Sequence, residues 1–178
     1  MKIVVCAPAG VGKTELLDRI TKSKFQTDYK LTVGVDIRTI DIELENEVYV
    51  LSVWDLGCTD RFEFVRSTFY KNADGAILIF DPEQPDTWNG LIEWRKELYQ
   101  HAGQIPFLLV ANKSELIEEH ENDTEANFPR EYANSENGIY VQVDMQNYYA
   151  LTKGLEELVQ KIIVSDAWVN KFKKKHPG

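Results

Sequence analysis

Apolar positions along the chain follow two rhythms. KIVVC (2–6), AILIFD (76–81) and FLLVAN (107–112) are continuous apolar runs that end at turns, the pattern of strands buried on both faces. VDIRTIDIELENEVYVLSVW alternates instead: Ile40, Ile42 and Leu44, a polar ENE turn, then Val48, Val50, Ser52 and Trp54. That stretch predicts a hairpin of two strands. IYVQVD (139–144) is the last strand. Three stretches repeat at helical spacing. ELLDRITKSKF presents Leu16, Leu17 and Ile20; TWNGLIEWRKELYQ presents Trp88, Leu91, Ile92, Trp94 and Leu98; LTKGLEELVQKII (151–163) closes the domain. Strands alternating with helices predict an α/β fold: a six-stranded, mostly parallel sheet flanked by helices. The hairpin adds one antiparallel edge strand. Ligands bind such sheets at the carboxyl ends of the strands, and every unusual motif of this chain falls at one of those ends.

The 178 residues are 43% hydrophobic, enough for one domain with a sizeable core, and no linker or repeat divides them. A formal charge of −9 argues against a general nucleic-acid surface, which needs a net basic face. Cys6 and Cys58 lie in unlike contexts and form no disulfide framework, as expected of a reducing cytoplasm. No leader and no membrane span are expected, and with no Gly after Met1 and no terminal Cys, neither a myristoyl nor a prenyl anchor. The acidic run SELIEEHENDTEAN (114–127) reads as a solvated surface insertion, with a partner-binding loop as the alternative.

GVGKT (10–14) follows a strand and opens a helix, the context a phosphate-binding P-loop requires. There the backbone N–H groups of Gly10, Val11, Gly12, Lys13, Thr14 and Glu15 would face phosphates from a loop and a helix N-terminus. Lys13 would reach the β- and γ-phosphates and the Thr14 hydroxyl would ligate Mg²⁺. The first Gly of G-x-x-x-x-G-K-[ST] is here Ala7, which costs little if its φ stays negative.

The order of the remaining motifs is specific. TVGVDI (32–37), WDLGCTDRF (54–62), STFYKNADGAILIFD and ANKSEL (111–116) follow in turn. From residue 2 to about 164 the chain resembles a Rab-type small GTPase of the Ras superfamily, element by element. The resemblance implies a P-loop NTPase of the small G-domain type over residues 1–164 and a short basic tail over 165–178. It implies GTP or GDP with Mg²⁺ as cofactors, the metal held by Thr14, Thr32 and Asp55. Lys13, Thr32 and the residue at 59 form the catalytic set. Asn112 and Lys113 frame the base, with Glu115, Asp144 and Met145 beside it. Phe25 is placed against the guanine face or is a core aromatic. Ile37, Trp54 and Phe69 fall where Rab proteins carry an effector-binding triad, though Trp54 equally suits core packing.

Departures from the family pattern cluster on hydrolysis and on the base. Ala9 would crowd the attacking water and any arginine supplied by an activating protein, a contribution of roughly 10³- to 10⁵-fold. Thr59 stands for the Gln that orients that water, and a hydroxyl is shorter and lacks an amide's separate donor and acceptor. Cys58 replaces a Gly whose backbone must reorient. Glu115 replaces Asp, lengthening the carboxylate by one methylene. QVDMQN replaces E-T-S-A-K, so that Asp144 stands for Ser and Met145 for Ala; Asp144 either borders the base or packs on the Asn112 loop.

The expected function is a monomeric guanine-nucleotide switch in cytoplasmic signalling, with weak intrinsic hydrolysis, meeting effectors and regulators through residues 25–37 and 55–70. The alternatives are a pseudo-GTPase interaction module and, less suited to ANKSEL and TVGVDI, an unrelated P-loop kinase or ATPase. The tail, with Lys171, Phe172, Lys173, Lys174 and Lys175, is a solvated helix end or a weak membrane-surface contact, at about 1 kcal/mol per basic residue.

Overall fold

A computed structural model describes residues 1–21, 29–31, 35–56, 63–112, 124–143, 148–166 and 168–170. The chain runs β1 (Lys2–Cys6), α1 (Lys13–Thr21), β2 (Tyr29–Leu31), β3 (Val35–Leu44), β4 (Glu47–Leu56) and α2 (Glu63–Tyr70). It continues through β5 (Gly75–Phe80), α3 (Pro85–Ala102), β6 (Phe107–Asn112), α4 (Thr124–Ser135), β7 (Ile139–Val143) and α5 (Tyr149–Ile163). Strand order in the single sheet is β2-β3-β4-β1-β5-β6-β7. β1 lies between β4 and β5, parallel to both, and β6 and β7 extend the parallel half.

The six predicted strands all form, and β2 is a seventh, of three residues, antiparallel to β3. The hairpin is therefore covered on its outer side by β2 and does not end the sheet. Three residues are too few to show a period of two, which is why the sequence pattern gave no sign of it. Helices α2 and α4 also escaped the pattern. The last four residues of the acidic run open α4, whose interior holds Pro129; from residue 128 onward its buried positions are Pro129 and Ala133.

Alternation within each strand sorts side chains to two layers. Ile3, Val5, Ile77, Ile79, Leu108 and Val110 face α1 and α5, joined there by Leu16, Leu17, Leu155 and Leu158. Val4, Cys6, Leu78, Phe80, Leu109 and Ala111 face the other way, toward Tyr70, Leu91, Leu98 and Ala133. Since β1, β5 and β6 are covered on both faces, their continuous apolar runs have a physical cause. In the hairpin, Leu44 pairs with Glu47 across a two-residue turn, and Glu45 (φ 53°) and Asn46 (φ 66°) are both left-handed. That is the type I′ geometry whose twist matches the flanking strands. Among the described residues no helix is long and apolar enough to cross a membrane. Beyond α5, Trp168 packs back on the α1/α5 side of the core.

Helix α4 ends in a Schellman turn. Asn137 is left-handed (φ 58°), and the Gly138 N–H donates to the Ala133 carbonyl at 2.7 Å. A Cβ on Gly138 would lie 2.5 to 2.9 Å from three atoms of the Phe107 ring, which is fully buried and has nowhere to retreat. Gly138→Ala is expected to cost about 1–3 kcal/mol by overpacking. Urea unfolding should show a lower midpoint with an unchanged slope; an unchanged midpoint would mean that the turn yields freely.

Candidate functional site: a phosphate-binding loop and its supports

Residues 7–12 turn from the buried end of β1 into α1. Ala7 is fully buried and keeps a negative φ, so replacing the expected glycine leaves the backbone path intact. Left-handed residues in the loop are Gly10 (φ 86°) and Gly12 (φ 78°), where a side chain would be strained. Val11, between them, is fully buried and pins the loop to the core. Ala9 is exposed at the loop's crest. The first bond inside α1 runs from the Leu16 N–H to the Gly12 carbonyl at 3.0 Å. The N–H groups of residues 12–15 therefore have no partner within the helix, the arrangement that receives anions. Glu15 sits exposed in that first turn, its carboxylate 3.5 Å from Arg19.

Two long-range contacts hold this loop. The Lys13 ammonium forms an ion pair with Asp55 near the carboxyl end of β4, and both side chains are nine-tenths buried. The Asn112 side-chain amide, at the end of β6, donates to the Val11 carbonyl at 2.7 Å in a buried position. Asn112 thus supports the loop backbone directly, a role that the sequence reading, which placed it at the base, did not contain. Asp36 stands opposite Asp55 in the β3–β4 register, with one buried carboxylate oxygen unpartnered among the described residues. Its other oxygen accepts from Arg38, which also reaches Asp18 on α1.

A second polar chain starts at the root of the loop. Burial pushes the Cys6 thiol up to about 12, with the neighbouring Tyr70 of α2 acting in the opposite direction. Burial likewise raises Tyr70, whose hydroxyl donates to Glu97 on α3 at 3.4 Å. Glu97 pairs with Arg66 at 3.1 Å, and the Arg66 guanidinium stacks 4.3 Å from the centre of the Trp94 ring. β1, α2 and α3 are joined by this chain. Its sequence signal was faint: a polarisable cysteine closing a strand of valines and isoleucine.

Ile37, Trp54 and Phe69 come together as a half-buried cluster. Ile37 and Trp54 are register partners, and the rings of Trp54 and Phe69 lie 6.0 Å apart. Lys2 stands over the Trp54 ring at 4.2 Å, and the indole N–H donates to Ser52. Phe25, Thr32, Cys58, Thr59, Lys113, Glu115, Asp144 and Met145 lie outside the described residues. As to metal, the register partners Asp55 and Asp36, the latter with an oxygen unpartnered among the described residues, and a hydroxyl in the first turn of α1 at Thr14 supply hard oxygen donors. That set fits Mg²⁺, which takes one or two carboxylates and completes its shell with phosphate oxygens and water.

A glycine-shaped loop between a central parallel strand and a helix, with Lys13 at the helix start and Asp55 on the neighbouring strand, defines a small G-domain fold of the P-loop class. The chain belongs to the Ras family, whose family model matches residues 2–164. It is similar to Ras-related protein Rab-25 of Bos taurus, 38% identical over 125 residues, covering 70% of this chain and 59% of that protein. It is also similar to Ras-related protein YPTC6 of Chlamydomonas reinhardtii, 28% identical over 162 residues, covering 90% and 74%. GTP-binding protein YPTC5 of the same organism is 33% identical over 118 residues, covering 64% and 57%. The aligned part spans about three fifths of the length of Rab-25.

Alkaline stability follows from Cys6. The folded state keeps a proton that the unfolded chain releases once pH passes the ordinary thiol value of 9.0. Stability present below pH 9 is therefore lost as pH rises toward 12, and Tyr70 adds loss in the same direction. Urea unfolding between pH 8 and about pH 11 should show falling stability. In Cys6→Ala the slope should be shallower by up to roughly 1 kcal/mol per pH unit. Equal slopes would show that the thiol does not titrate in this linkage.

Proposed function

We propose that the protein is a guanine-nucleotide switch, binding GTP or GDP with Mg²⁺ and hydrolysing GTP slowly. The observation that carries this reading is the loop held from two sides, by Asn112 on the Val11 carbonyl and by Asp55 on Lys13. A likeness to proteins named Ras-related and GTP-binding supports it. In this reading residues 1–164 are the G domain, and the N–H groups of residues 10–15 and the Lys13 ammonium bind the phosphates. Thr14, Thr32 and Asp55 hold the metal, which when bound neutralises phosphate charge. Phe25, Asn112, Lys113, Glu115, Asp144 and Met145 line the base, with Glu115 accepting from it. Effectors and regulators meet residues 25–37 and 55–70, where the half-exposed Ile37–Trp54–Phe69 cluster offers an apolar contact. We place the protein in the cytoplasm as a monomer, with residues 165–178 a short basic tail in at most weak contact with membrane.

A second reading draws on the same ion pair. Lys13 and Asp55 neutralise each other, and those are the two groups that nucleotide and metal would have to engage. A pseudo-GTPase that holds nucleotide structurally or not at all would keep this arrangement permanently. Denaturing the purified protein and identifying the nucleotide released separates the readings.

Titration with fluorescent GDP and ATP analogues should show Mg²⁺-dependent binding of GDP in strong preference to ATP. Lys13→Ala should weaken it by about 1.5–3 kcal/mol, roughly 10- to 100-fold, the worth of a charge-assisted contact. ATP binding as tightly as GDP, or an affinity indifferent to Lys13, would overturn the assignment.

Hydrolysis is expected to be slow because Ala9, Cys58 and Thr59 occupy positions that shape the attacking water's place, and positioning supplies most of the catalysis in phosphoryl transfer. Single-turnover hydrolysis should not exceed about 10⁻⁴ per second. Thr59→Gln alone should restore little. The triple change Ala9→Gly, Cys58→Gly, Thr59→Gln should exceed the single changes combined, since groups sharing one transition state do not add. Turnover by the unaltered protein of about 1 per minute or faster would contradict this and point to Asp60 as the water-positioning group.

A further inference from the structure

We propose that the cleft between α3 and α4 is a binding site for a small monoanionic carboxylate, with Arg95 as the group that receives it. Along α3 the buried positions are Thr87, Leu91, Arg95 and Leu98, so Arg95 occupies a core-facing place where helical spacing calls for an apolar side chain. The residue is only 5% exposed. Its guanidinium lies between two rings, 5.0 Å from the centre of Phe107 and 5.3 Å from that of Tyr99.

A guanidinium carries five N–H donors, and here none meets an acceptor within hydrogen-bond reach among the described residues. Glu136, just after α4, forms a long ion pair with it at 3.8 Å, and among the described residues the buried Nε has no hydrogen-bond partner. Buried charges are ordinarily paired and hydrogen-bonded, so a guanidinium left this way calls for a missing acceptor. The space is present: an open surface pocket of about 260 Å³, lined by Arg95, Lys96, Tyr99, Gln100, Tyr132 and Glu136. It is smaller than the roughly 300–1,000 Å³ of sites for drug-sized ligands, which suits a small anion.

Charge and shape select the class. Lys96 is already paired with Glu93 at 2.7 Å, leaving Arg95 opposed by a half-exposed Glu136 that can swing aside. One negative charge balances that site, and two overload it. The planar fork of a guanidinium matches a carboxylate bidentately, and Tyr99 and Tyr132 are among the residues that line the pocket. Burial keeps the Tyr132 hydroxyl protonated, so it remains a donor. This site does not depend on the nucleotide reading, since none of its residues belongs to the loop.

The test is a titration followed by amide NMR of the whole chain, with sodium acetate against sodium chloride at constant ionic strength, and with sodium phosphate. Acetate should shift residues 95–100 and 132–136 saturably, with a dissociation constant of about millimolar order for so small a ligand. Glu136→Gln should tighten binding several-fold by removing the internal competitor. Arg95→Met, which keeps the length that packs on Phe107 and removes a loosely paired buried charge, should fold and lose binding at least about tenfold. Arg95→Lys, which keeps the charge without the fork, should bind with intermediate strength. An N-acetylglutamate amide probe separates the carboxylate's sources: binding several-fold tighter than acetate indicates a partner's side chain, equal binding a free small acid. Shifts reproduced by chloride, a stronger response to phosphate, no saturation because water alone fills the cleft, or binding unchanged in Arg95→Met would each overturn the proposal.

Discussion

The hydrogen bond from the Asn112 amide to the Val11 carbonyl spans 101 residues of sequence and joins the loop that leaves β1 to the end of β6. Those strands are not neighbours, since β5 lies between them. The bond therefore crosses over the end of β5 and fixes the β1 loop to the end of β6, independently of the sheet's own ladder. It is buried, so breaking it would strand a carbonyl and an amide away from water, which is costlier than the bond is worth in isolation. The left-handed glycines on either side of Val11 can be held in one conformation because the residue between them is tethered this way. The helix N-terminus beyond inherits its aim from the same tether.

Beneath the loop, two polar systems divide the work of attaching it. Lys13 and Asp55 connect it to β4, and through the register with Asp36 to Arg38 and α1. Cys6, Tyr70, Glu97 and Arg66 connect its root to α2 and α3. The alanines in the loop read differently against these supports. Ala7 belongs to the core and is tolerated because nothing there needs a positive φ. Ala9 stands at the exposed crest, where its methyl group alters only what approaches from outside.

Much of the fold was legible because burial on two faces and burial on one leave different periodicities. KIVVC and FLLVAN became strands with the bounds the pattern suggested, and the ENE turn became a left-handed pair. What escaped had weak periods: β2 with three residues, and α4, interrupted by Pro129. The loop at the site was legible in its glycines and lysine, because those residue types answer local backbone and charge demands. Asn112's bond to Val11 was not, since it depends on where two distant strands end. Arg95 was hidden for a related reason. A charged residue in an amphipathic helix reads as part of the wet face, and only the tertiary packing reveals that this one points inward.

The central place of β1 also bears on how the chain is made. Its partners are β4, where Lys2 faces Ser52, and β5, where Cys6 faces Leu78. The β3–β4 hairpin is local and can close on a timescale of about 1–10 μs once its residues emerge. β1 cannot be flanked on both sides until the chain has grown past residue 78, which at about 5–20 residues per second takes several seconds. Until β5 emerges, this apolar strand can cover its β4 edge alone, and its other edge stays open. The growing chain therefore carries an open apolar edge until β5 docks, and shielding by a chaperone matters more during that interval than at any time after it.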